Sequence, residues 1–135
     1  MGELSKRLRK VERILAVQEK LHRLAEWKLA RIEEKQAGLS SERQSLVDAL
    51  NGDDRLQGLF VEAMAKRLAV LARETDRVNH EREEQVRLLF AEALRLGRTE
   101  RMTEKLRRQH GEELWKRSFR DILESVGRKR DASFP

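Results

Sequence analysis

The sequence predicts an all-α fold, a two-helix antiparallel coiled-coil hairpin with a longer second helix. Three observations predict it. Mostly apolar residues recur in steps of four and three from Leu4 to Leu50, the spacing of a helical seam. The polar run Asn51-Gly52-Asp53-Asp54 interrupts that pattern. A second and longer helical pattern follows it. A two-helix rod of this kind offers no enclosed cavity for chemistry, so function is expected on its surface and at its ends.

Composition narrows the class. The chain has 135 residues, enough for one domain. Charged residues make up 40%, aromatics only 4%, and the single proline is Pro135. Such a balance marks long helices and coiled coils. So much charge is also compatible with disorder, but a regular apolar stripe argues against that. Too few large side chains are present to fill a globular core. The chain has no cysteine, which excludes disulfides, thiolate metal sites and cysteine nucleophiles. No stretch approaches the ~20 apolar residues of a membrane span. Met1-Gly2-Glu3-Leu4-Ser5-Lys6 forms no apolar signal segment. The expectation is a soluble, cytoplasmic protein.

Helix 1 is expected over about 3–50. Its seam is Leu4, Leu8, Val11, Leu15, Gln18, His22, Ala25, Leu29, Ile32, Gln36, Leu39, Arg43, Leu46 and Leu50, and ten of these fourteen are apolar. Gln18, His22, Gln36 and Arg43 weaken the seam, and Leu21 and Leu24 are expected to widen it. At ~1.5 Å per residue the helix is on the order of 70 Å long. The turn is placed at 51–54, where Asn51-Gly52 breaks the helix and Asp53 or Asp54 caps the next one.

Helix 2 is expected over about 55–128, followed by a tail at 129–135. Its stripe is read as Phe60, Met64, Leu68, Leu71, Val78, Val86, Leu89, Ala93 and Leu96. Between Thr75 and Gln85 the stripe thins, with Arg82 near the seam, and a phase shift is expected there. A hairpin folded at residue 52 pairs positions whose numbers sum to about 104. Leu4 then lies opposite about residue 100, and the last thirty residues have no partner from helix 1. Those residues carry their own stripe, Trp115, Phe119, Ile122 and Val126, an exposed apolar surface of the kind that marks a partner site. Gly97 is read as a hinge candidate at the start of this overhang; a tolerated surface glycine is the alternative.

Charge is distributed unevenly. Residues 1–13 hold five bases and two acids, and residues 95–135 hold twelve bases and seven acids. The remaining residues hold thirteen bases and fifteen acids, so all of the +6 net charge arises from the terminal segments. The hairpin brings those segments together as a cationic tip that steers an acidic surface. Nucleic acid is the weaker alternative, because acids interleave the bases and no nucleic-acid module is visible. A membrane surface is disfavoured by Glu112, Glu113, Asp121 and Glu124 within the tail. A solvated charged helix is the bland reading.

Chemistry finds little purchase. The histidines, His22, His80 and His110, are widely separated. His80 with Glu83 and Glu84, and His110 with Glu113, have helical spacing, but two helices do not supply the carboxylate cage of a di-metal bundle. No metalloprotease, phosphate-loop or calcium-loop motif occurs. The expectation is no enzyme, no metal and no cofactor.

The segment Ile14-Leu15-x-Val17-x7-Ala25-x3-Leu29-Ala30, the polar turn, the longer second helix and the basic tail together resemble the FliJ/YscO family of coiled-coil stalk proteins of flagellar and type III secretion export. The resemblance covers nearly the whole chain and rests on the conjunction of length, turn position, helix asymmetry and terminal charge. It implies a non-enzymatic stalk or escort protein that promotes assembly and activity of a hexameric export ATPase, links it to the cytoplasmic domain of the export gate, and works with export chaperones in bacterial flagellum biogenesis or protein transport. It implies a cytoplasmic location, peripheral to the inner-membrane export apparatus, with no integral membrane segment and no nucleic acid. The ATPase-facing tip would be Lys6, Arg7, Arg9 and Lys10 with Arg101, Lys105, Arg107 and Arg108. The family's gate contact resembles Phe-x3-Leu-x2-Ala-x3-His. Here the run is Phe60, Met64, Arg67 and Leu71, with Arg67 and Leu71 departing from it. The competing class is a structural or adaptor coiled coil, homodimeric through its seams.

Overall fold

The computed structural model describes residues 2–52 and 58–132, and all of them are helical. Helix α1 spans Gly2–Gly52 and α2 spans Gly58–Ala132. The two pack antiparallel, as the hairpin expectation requires. Two boundaries differ from expectation. Asn51 and Gly52 do not break α1 but complete its last turn. With no proline to block the backbone, their poor helix propensity is a modest cost at a helix end. The proposed caps Asp53 and Asp54 lie outside the described residues. At the other end α2 continues past residue 128 to Ala132, with Lys129 and Arg130 in its last turn, where positive charge complements the helix dipole.

The seam of α1 is the one its spacing indicates. Thirteen of the fourteen seam residues are buried or half-buried, and only Arg43 is exposed. Leu21 and Leu24 do not widen the seam; they are 45% and 46% exposed. The seam of α2 is more regular than its apolar residues indicate. Steps of four and three from Met64 lead without interruption through Leu68, Leu71, Thr75, Val78, Arg82, Gln85, Leu89, Glu92, Leu96, Thr99, Thr103 and Leu106 to His110. All are buried or half-buried except Arg82. The expected phase shift between Thr75 and Gln85 therefore does not occur. Val86 and Ala93, expected in the stripe, are exposed, and the inward positions are Gln85 and Glu92. Phe60 also points outward, at 61% exposure.

The described residues group into two compact units, Met1–Lys20 with Leu94–Pro135, and Leu21–Ala93. In the Leu21–Ala93 unit the buried apolar residues are Ala25, Leu71 and Val78. Two polar seam residues there bond across the helix pair. Gln36 Nε2 donates to Asn79 Oδ1 at 2.7 Å, and Gln85 Nε2 donates to the Ala25 carbonyl at 3.1 Å. The small Ala25 side chain leaves room for that approach. His22 Nε2 lies 2.7 Å from Glu26 Oε1, while its Nδ1 is buried with no hydrogen-bond partner among the described residues. Flanking the seam, Arg67 binds Glu42 at 2.7 Å and Arg82 approaches Glu33 at 3.7 Å.

In the other unit Leu8 and Leu15 of α1 and Thr103 and Leu106 of α2 are all buried. Thr103 is only 1% exposed, and its hydroxyl donates to the Thr99 carbonyl at 2.7 Å. That bond within its own helix satisfies the hydroxyl and lets a polar residue occupy the seam. Arg107 Nε approaches Glu12 Oε1 at 3.3 Å across the helix pair.

These cross-helix pairs fix the register. Their residue numbers sum to values between 109 and 119, not 104. Residue 4 consequently lies near residues 109–116, and an open groove of about 640 Å³ is lined by Gly2, Glu3, Leu4 and Arg7 with Gln109, Glu112, Glu113 and Lys116. The part of α2 without a facing α1 therefore begins after about Lys116, not after Gly97. Gly97 lies within continuous helix, and a Cβ there would meet only Arg101 Nη1 at an ordinary 3.7 Å. It is no break in the helix.

Candidate functional surfaces

Among the described residues no group of three or more histidine, cysteine, aspartate or glutamate side chains could hold a metal ion. No helix among the described residues is long and apolar enough to cross a membrane. The grooves are open and shallow. One in the Leu21–Ala93 unit is about 440 Å³ and runs along Leu39 and Val78, bordered by Lys35, Glu42, Glu74 and Arg77. The surfaces that stand out are one basic and two apolar.

The basic surface belongs to the unit that combines residues 1–20 with 94–135. All eight predicted basic residues, Lys6, Arg7, Arg9, Lys10, Arg101, Lys105, Arg107 and Arg108, fall in that unit and all are exposed. The fold thus assembles on one body two clusters separated by about ninety residues of chain. They are not equivalent. Arg107 is turned to Glu12 and helps hold the two helices together, so its charge is partly neutralised. The guanidinium of Arg101 lies back along α2, with Nη1 3.7 Å from where a Cβ on Gly97 would stand.

The predicted patch at the start of α2 is divided by packing. Phe60 is exposed and Met64 half-buried, but Leu71 is 1% exposed. Leu71 is a seam residue and cannot be reached by a partner while the helices stay paired. Its place in the proposed contact is therefore corrected; only Phe60 and the edge of Met64 are accessible. Between them and Leu71 stands Arg67. Its guanidinium is held further above its ordinary pKa by the hydrogen bond to Glu42, and then by the charge of that same carboxylate.

The second apolar surface is on the C-terminal part of α2. Trp115, Phe119, Ile122 and Val126 are 65%, 47%, 60% and 55% exposed. Trp115 and Phe119 stack, with ring centroids 5.3 Å apart and planes 7° from parallel. Leu114 and Leu123 border them, at 41% and 54% exposure. Their position around the helix was not legible from the stripe alone. Continuing the α2 seam from Thr103, Leu106 and His110 in the same steps reaches Glu113, Arg117, Arg120 and Glu124, all exposed and all charged. The apolar stripe lies roughly half a turn away from that line. It is a separate surface, and no extension of the hairpin seam would cover it.

No protein-family model, no curated protein and no solved structure matches the chain. The fold and its surfaces define the class, an all-α helical hairpin.

Proposed function

We propose that this chain is a non-enzymatic coiled-coil stalk or escort protein of a flagellar or type III export apparatus, as its resemblance to the FliJ/YscO family implies. The observation that supports the reading is the gathering of both terminal basic clusters on one helical unit. In this reading the surface formed by Lys6, Arg7, Arg9 and Lys10 with Arg101, Lys105 and Arg108 meets acidic loops of a hexameric export ATPase and promotes its assembly and activity. Phe60 and Met64 contact the cytoplasmic domain of the export gate, and export chaperones are further partners. The protein acts in the cytoplasm, beside the inner-membrane apparatus. Attraction between such surfaces is long-ranged and screened by salt.

The test is ATP hydrolysis by the candidate export ATPase with and without this chain. Wild type is expected to stimulate turnover, with the effect fading as ionic strength rises. Reversal of Arg101, Lys105 and Arg108 to glutamate is expected to abolish stimulation while helicity is retained. Unchanged stimulation by that variant sinks the model. A structural or adaptor coiled coil is the second reading, favoured by the uncovered stripe at Trp115–Val126. Failure to co-purify with the ATPase under low salt would favour it.

A further inference from the structure

We infer that the C-terminal segment of α2 pairs with the same segment of a second copy, antiparallel, through a six-residue seam from Glu112 to Lys129. The inference goes beyond the export reading and does not depend on it. Three observations carry it.

The first is the seam itself. Glu112, Trp115, Phe119, Ile122, Val126 and Lys129 follow steps of three and four without interruption, and all six are exposed. Four apolar layers are thus bracketed by one acid and one base. The second is complementarity under a two-fold axis. An antiparallel partner centred between Arg120 and Asp121 places Trp115 opposite Val126 and Phe119 opposite Ile122. Every apolar layer then combines a larger with a smaller side chain, the arrangement that fills space evenly. The same axis places Glu112 opposite Lys129 at both ends. Parallel pairing would instead stack Trp115 on Trp115 and oppose like charges at each end, which is unfavourable. The third is area. Taking ~150–250 Å² for each large apolar side chain, the exposures leave on the order of 450 Å² of the stripe uncovered, so pairing buries on the order of 900 Å² in total, the size of a weak, transient interface. An association of that size is reversible and concentration-dependent. The Ser118 and Ser125 flank carries no charge that pairing would have to strip of water.

Analytical ultracentrifugation of the full chain over a wide concentration range tests the inference. The expected result is a monomer–dimer equilibrium. Phe119→Glu should leave only monomer at every concentration, with nearly unchanged circular dichroism because Phe119 packs on Trp115 of its own helix and takes no part in the hairpin seam. Glu112→Lys alone and Lys129→Glu alone should each weaken the dimer by about tenfold, since each replaces two attractive end contacts by two repulsive ones. The double variant Glu112→Lys/Lys129→Glu should restore wild-type association. A wild-type chain that is monomeric throughout overturns the inference, as does a dimer that survives Phe119→Glu. Single reversals without effect overturn the antiparallel register. A chain that stays monomeric but co-sediments with phosphatidylglycerol vesicles overturns it in favour of a lipid surface.

Discussion

Arg67 of α2 reaches Glu42 of α1 with two donors, Nε at 2.8 Å and Nη2 at 2.7 Å, both on the same carboxylate oxygen, Oε1. The pair is half-open to solvent, so its value lies in register more than in strength. It ties one position of each helix to the other beside the Leu71 layer. A group whose folded pKa is raised contributes stability present below its unfolded value and lost only as pH climbs through the folded one. For an arginine that window lies beyond any practical assay, so salt is the lever to use. Arg67→Gln is expected to lower the melting temperature by a few degrees at low ionic strength and by less at high ionic strength. The exchange Arg67→Glu with Glu42→Arg should recover most of the loss. Thermal melts of the three proteins at two salt concentrations check this, and a loss that salt does not alter would count against a Coulombic tie.

Leu71 and Phe60 sit only eleven positions apart yet have opposite exposure, 1% against 61%. Leu71→Ala should cost about 2–5 kcal/mol, the loss of a buried aliphatic side chain plus its cavity. Phe60→Ala should cost no more than about 0.5 kcal/mol. Urea denaturation followed by circular dichroism compares them. Equal costs would remove Leu71 from the seam.

The inward position in the middle of α2 is Gln85, not Val86. Val86→Gln should therefore change stability by less than about 0.5 kcal/mol, because it alters a surface residue. Gln85→Leu should stabilise by about 1 kcal/mol, adding apolar area to the seam at nearly constant volume. The lost hydrogen bond is a second one on the Ala25 carbonyl, which lies within α1. Denaturant midpoints decide the matter, and the reverse order of effects would shift the α2 seam by one residue.

Gly97 and Gly111 both lie inside α2 with room for a methyl group. Alanine at either position should raise stability by about 0.5–1 kcal/mol, chiefly by narrowing the unfolded ensemble. If Gly97→Ala destabilises the chain, the helix must bend there. Thermal melts of the single variants separate the two cases.

How much of this was legible in the chain differs between the helices. In α1 the seam could be counted directly, because its inward residues are mostly aliphatic and keep their steps of four and three even beside Leu21 and Leu24. In α2 the inward line runs through Thr75, Gln85, Glu92, Thr99 and Thr103, with Arg82 on the same line but exposed. Following apolar residues there leads one position astray, to Val86 and Ala93, and creates a phase shift that the helix does not have. The basic residues of both terminal segments were identifiable as a shared surface, but the engagement of Arg107 by Glu12 was not. The apolar stripe of the C-terminal segment was visible as a spacing, while its separation from the hairpin seam was not.

By itself the sequence determined that the fold is all-α, that it folds back once, which face of α1 turns inward and which terminal segments carry the positive charge. Those are properties of periodicity and composition along one strand of text. Tertiary packing decided the register, the exposure of Leu21 and Leu24, the burial of Thr103 and the inward turn of Gln85. The physical reason is that a seam belongs to two helices at once. A paired helix keeps one side against its partner over its whole contact, and whichever residue falls there must be accommodated, through a small neighbour such as Ala25 or a hydroxyl bonded to its own helix. That choice depends on what stands opposite, which no single helix can specify.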